Sequence, residues 1–137
     1  MVVFLPVHQR KDGARMNENL ILIILVAIGG AIGAVLRFSV TLAMPPMDGI
    51  AWNTLMVNFV GCVVITLLFY SIDMETTTRI FLITGILGGF TTMSAVSLET
   101  VDLYVTGAMG LAVANIVLNV TACIGGGFLG RLVALMF

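Results

Sequence analysis

Charge is what this sequence has least of. Only six of its 137 residues are Lys or Arg and seven are Asp or Glu, 9% in all, where a soluble domain carries roughly 25%. No basic run is long enough to hold nucleic acid. The single histidine, His8, lies in the N-terminal tail, so the apolar segments hold no histidine chemistry. The two cysteines, Cys62 and Cys123, fall inside apolar segments with no CxxC and no metal-ligand spacing. They read as small apolar packing residues. What is abundant is hydrocarbon: 60% of the residues are hydrophobic and the mean hydropathy is +1.17. This is a membrane protein.

Four apolar stretches are each long enough to cross a bilayer, which takes about 20 residues. They give helices at about 20–44, 51–71, 79–103 and 107–137, the first ending at Pro45-Pro46 and the third preceded by the polar stretch from Asp73 to Arg79. The loops are too short for a further domain. The expectation is an all-α membrane protein with one four-helix transmembrane domain over residues 19–137, behind a tail of residues 1–18. That tail, disordered or a start-site extension ahead of Met16, lacks the order of a signal peptide, because its apolar part precedes its positive charges. With it, Arg10, Lys11 and Arg15 favour a cytoplasmic N-terminus. Without it, Arg79 and Arg131 oppose Arg37 across the membrane, a bias so small that the chain could insert both ways and pair with an inverted copy.

Ionisable groups in the spans are few. Arg37, Glu99, Asp102 and Arg131 all lie near helix ends, where long side chains reach the interface. The absence of a carboxylate in mid-membrane argues against a proton-coupled carrier. Neutral polar groups say more. Thr54 and Asn58 are four apart, as are Asn115 and Asn119, so each pair shares a helix face. They either tie helices together by hydrogen bonds or line a path for something that accepts them. Gly29 with Gly33, and Gly126 with Gly130, form GxxxG pairs suited to close helix contact.

Residues 88–99, GGFTTMSAVSLE, are poor material for a continuous helix, and a break there frees carbonyls beyond the reach of water. Together with GGAIGAVLRF (29–38) and NTLMVNFVG (53–61), the stretch GILGGFTTMSAVSLE (85–99) resembles the fluoride channels of the CrcB/Fluc family, small proteins of bacterial and archaeal cell membranes. The three motifs occur in order, and the resemblance covers nearly the whole chain from about residue 27.

That resemblance implies a broken third helix and an antiparallel, dual-topology homodimer in lipid, with two fluoride pathways and a structural sodium ion at its centre. By position the sodium would be held by the main-chain carbonyls of Gly88 and Thr91 of both subunits, hard ligands for a hard cation. Asn58 matches the asparagine beside the ion path, with Thr54 one turn before it. Gly30, Gly33 and Arg37 belong to the helix-one motif, and Ser94 and Ser97 add hydroxyls. Neutral donors suit fluoride, which sheds its water only if donors replace it and which fixed charges would hold too tightly to conduct. The family's TTFSTFS reads TTMSAVS here, so Met93 and Val96 stand where phenylalanine edges face the ion. Asn115 and Asn119 stand where helix four usually has tyrosine and serine. Transport would be passive, with no enzymatic step.

Other readings remain. The chain could be half of a heterodimer whose paralogous partner supplies the phenylalanines, a relative with altered anion selectivity, or a structural membrane subunit. A small drug exporter ranks last, because helix one lacks the glutamate that family needs.

Overall fold

A computed structural model describes residues 12–44 and 49–136, with side chains from Met16 onward. Residues 1–11, with His8, and the Pro45-Pro46 pair lie outside the described residues. The described chain has four helices long and apolar enough to cross a membrane. Helix α1 is Asp12–Ala43 and α2 is Trp52–Ser71. The third span is two helices: α3, residues 76–90, and α4, Met93–Val105. Helix α5, Met109–Ala134, completes the bundle.

The start of α1 differs from expectation. Helix extends back to Asp12, into the polar residues assigned to the tail. Ala, Arg, Met and Glu in that stretch are good helix formers, and propensity does not stop at the membrane plane as hydropathy does. At the other end of the chain, the turn into α5 uses Gly107 at φ +84°, a left-handed conformation that costs glycine little, so α5 starts at Met109 rather than at residue 107.

Two glycine seams hold the bundle. On α1, a Cβ at Gly29 would lie 2.8 Å from the Phe81 carbonyl oxygen, and one at Gly33 would run into that of Ile86. From α3, a Cβ at Gly89 would lie 2.5 Å from the Gly30 carbonyl oxygen. The two backbones touch, and they run parallel, since later residues on α1 meet later residues on α3. Part of α3, Ile80–Leu87, is wound as a π-helix. Gly85 within it and Gly89 just after it both lie against α1. The sequence did not announce it, because π turns have no composition of their own. The second seam joins α2 to α5, where a Cβ at Gly126 would lie 2.9 Å from the Phe59 carbonyl oxygen and one at Gly130 would strike that of Val63. Cys62 and Cys123 are half-buried free thiols on these two helices.

The break sits midway along the third span, and its main effect is to change that span's neighbours. Before the break, α3 packs on α1; after it, α4 packs on α5.

Candidate functional site

The break occupies two residues. Thr91 (φ −75°, ψ 153°) and Thr92 (φ −152°, ψ 116°) are extended. Each threonine closes one helix. The Thr91 hydroxyl donates to the Leu87 carbonyl at 3.1 Å, finishing α3, and the Thr92 hydroxyl accepts from the Ala95 N–H at 3.2 Å, capping α4 as a threonine N-cap does. Gly61 of α2 makes room for the first of them, since a Cβ there would strike the Thr91 methyl.

Asn58 takes up the slack. Its Oδ1 accepts from the Thr92 N–H at 2.8 Å and its Nδ2 donates to the Thr92 carbonyl at 3.0 Å. The amide thus pairs with an extended backbone as a neighbouring strand would. The other Nδ2 hydrogen goes to Asn119 Oδ1 at 3.1 Å. Asn119 Nδ2 in turn donates to the carbonyl and the Oδ1 of Asn115 at 3.0 and 3.2 Å. Asn115 Nδ2 donates to the Val96 carbonyl at 3.3 Å and to Thr100 Oγ1 at 3.0 Å. A continuous line of amides therefore runs from the mid-membrane break toward the start of α2, through a core where all three asparagines are buried. Every Nδ2 hydrogen in the line has a protein acceptor, as a buried amide requires.

At the far end the Thr54 hydroxyl donates to Glu99 Oε1 at 2.5 Å. The carboxylate, expected to reach the interface, is turned inward instead. Its Oε2 and the Oδ1 of Asn53 are buried without hydrogen-bond partners, so this end of the line holds acceptors awaiting a donor.

Three expected site residues stand apart. Met93, Ser94 and Ser97 lie on the outer face of α4, with Met93 60% exposed in the single subunit. The Ser97 hydroxyl donates back to the Met93 carbonyl at 3.0 Å, and Ser94 Oγ shares a hydrogen with Thr92 Oγ1 at 3.0 Å. Val96 faces the opposite way and is 0% exposed, packed inside the subunit. The two positions of the family phenylalanines thus point to different sides of α4.

Three carbonyls at the break have lost their helical donors. The Thr92 N–H that would bond to Gly88 goes to Asn58, and the Ala95 N–H that would bond to Thr91 goes to a hydroxyl. Gly89, between them, receives Arg37 Nε at 3.4 Å instead. Hard main-chain oxygens released at a helix C-terminus fit a hard cation. Among the described residues, no cluster of three or more His, Cys, Asp or Glu could hold a metal ion.

Sequence reasoning missed Thr92, Glu99 and Thr100 as members of this network. Their signal was periodic: 92, 96, 99 and 100 recur at helical spacing and share the inner face of α4.

The sequence is similar to known proteins over most of its length. The model of the family described as CrcB-like protein, Camphor Resistance (CrcB), matches residues 24–131. Curated relatives include a protein of Agrobacterium fabrum, 43% identical over 123 residues that cover 80% of this chain and 95% of the relative. One from Methanococcus maripaludis is 38% identical over 118 residues, covering 84% and 97%. One from Rhizobium johnstonii is 45% identical over 113 residues, covering 75% and 90%. Each of the three is named fluoride-specific ion channel FluC. With the family model spanning all four membrane helices and the relatives matched over nearly their whole length, the chain belongs to the CrcB family.

Proposed function

We propose that this chain is a fluoride channel subunit, not an enzyme, letting fluoride leave a prokaryotic cell passively and so lowering cytoplasmic fluoride. The observation that carries this is the match to relatives named fluoride-specific ion channel over 90% or more of their length. The geometry supports it. Fluoride is a small acceptor that can shed water only where donors are prearranged, and three amides in file offer them at successive steps of one helix turn. Each N–H now rests on a neutral oxygen. Turning to an anion exchanges that bond for a charge-assisted one, which is roughly twice as strong. The amides can therefore yield to fluoride without a fixed positive charge that would trap it. Asn58, Thr54, Asn115 and Asn119 serve the path on the inner face of α4, bounded there by Val96, while Met93, Ser94 and Ser97, on the outer face, would serve it only at a surface shared with a second copy.

The working form we propose is a homodimer of inverted subunits in lipid. One subunit leaves Met93 and the serines uncovered, and a second copy would cover them. At the centre, the Gly88 and Thr91 carbonyls of each subunit would hold a structural sodium, whose contribution is to neutralise dipoles that have lost their helical donors. A heterodimer whose paralogous partner supplies the phenylalanines rests only on Met93 and Val96.

Efflux from liposomes holding only this purified protein tests the reading, with fluoride and chloride followed in parallel by ion-selective electrodes. Rapid fluoride release with chloride retained is the expected result. Intact dimers that release neither ion would overturn it.

A further inference from the structure

The end of the subunit opposite Glu99 has a different chemistry. Helix α2 finishes there with Phe69, Tyr70 and Ser71, α3 begins beside it, and α5 ends beside it. The Arg79 guanidinium lies over the Phe69 ring, 5.3 Å from its centroid, and that of Arg131 lies over the Tyr70 ring at 4.3 Å. The two rings meet edge to face at 5.1 Å. Ring faces attract guanidinium groups but leave the N–H edges free to bond elsewhere. Asp73 and Glu75 lie on the adjoining turn, exposed, and among the described residues neither pairs with either arginine. Arg79 Nε and Ser71 Oγ are buried without any hydrogen-bond partner. Where the Glu99 end holds orphaned acceptors, this end holds orphaned donors.

Two unpaired guanidinium groups, two buried donors and a pair of half-exposed aromatic rings occur together where a span leaves the hydrocarbon. Aromatic rings concentrate at that level of a bilayer, and basic pockets between helices there bind lipid phosphates. We propose that Arg79, Arg131 and Ser71 form a binding site for the phosphate of an anionic phospholipid headgroup. The rings hold the two arginines in place, the guanidinium N–H groups not sealed inside the subunit donate to the phosphate oxygens, and the buried Arg79 Nε and Ser71 Oγ gain a partner once the Arg79 side chain shifts toward it. The site is separate from the line of amides, which lies in the other half of the subunit. In an inverted dimer it would occur once on each side of the membrane.

Native mass spectrometry of the detergent-solubilised full-length protein tests this, with phosphatidylglycerol, phosphatidylcholine or inorganic phosphate added separately. Phosphatidylglycerol should be retained in preference to phosphatidylcholine. The double variant R79Q/R131Q should lose that preference by roughly 30-fold, from two basic contacts at the headgroup level. S71A, which leaves both arginines in place, should weaken retention by a few-fold and serves as the readout if the double variant does not fold. Retention equal for both lipids, or unchanged in either folded variant, would overturn the proposal. Saturation by inorganic phosphate with no preference between the lipids would assign the site to a free anion and also overturn it.

Discussion

The two halves of the third span are joined to the subunit by opposite means. Residues 76–90 lie against α1 by subtraction: Gly29 and Gly33 face Gly85 and Gly89 with no side chain between them, and one arginine, Arg37, adds a single bond. Residues 93–105 lie against α5 and α2 by addition, with Asn115 and Glu99 forming polar bonds across the gap. A bilayer gives packed helices no hydrophobic drive to associate, so close contact and interhelical hydrogen bonds are the two available forces. The glycine half is held by backbone contact and one arginine bond. The amide half is held by side-chain hydrogen bonds. The break is what allows one span to use both.

The sharpest way to break the glycine half is Gly33→Val. Its side chain would collide with the Ile86 carbonyl, main chain that cannot rotate away, so a loss of about 3 kcal/mol or more is expected. Thermal unfolding in detergent should show it, and an unchanged melting temperature would mean that α1 and α3 are not in contact. Next is Asn58→Ala, which leaves the Thr92 N–H, the Thr92 carbonyl and Asn119 Oδ1 without this partner. The expected cost is about 3 kcal/mol or more, at 1 to 3 for each orphaned group. Its discriminating signature is local, with faster hydrogen exchange at Thr92 and Ala95 and none at Gly85. Thr92→Val removes the cap of α4 and should cost about 1 kcal/mol, read in the same melting experiment.

The smallest effect is the most useful control. Gly30→Ala meets nothing within 4 Å in the subunit, so stability should change by no more than about 0.5 kcal/mol. Gly30 and Gly33 sit in one motif, yet only Gly33 is buried against α3. Equal damage from both substitutions would place another surface, such as a second subunit, against Gly30.

Much of this was legible in the sequence. The four spans follow from runs of apolar residues, and the break follows from Gly88-Gly89 and the threonine pair. The pairs Thr54 with Asn58 and Asn115 with Asn119 announced a shared polar face, although not that their amides would form one line. What stayed hidden depends on partners distant in the chain. Thr92 is silent until Asn58, 34 residues away, is beside it. Glu99 looks like an interfacial residue until Thr54 draws it inward. The π-helix has no composition of its own to announce it. Arg79 and Arg131 read as ordinary helix-end charges, and only the structure shows that they lie over two touching rings.

Whether the line of amides through Asn58 carries the ion, as proposed, is decided by flux. The direct measurement is fluoride efflux from liposomes containing Asn58→Asp, beside Gly30→Ala as the folded control. An ionised carboxylate accepts but cannot donate, and its charge repels an anion. Efflux should therefore stop in Asn58→Asp and persist in Gly30→Ala. Undiminished fluoride flux through a folded Asn58→Asp protein would contradict the account, leaving the amides as ties between helices and the path elsewhere.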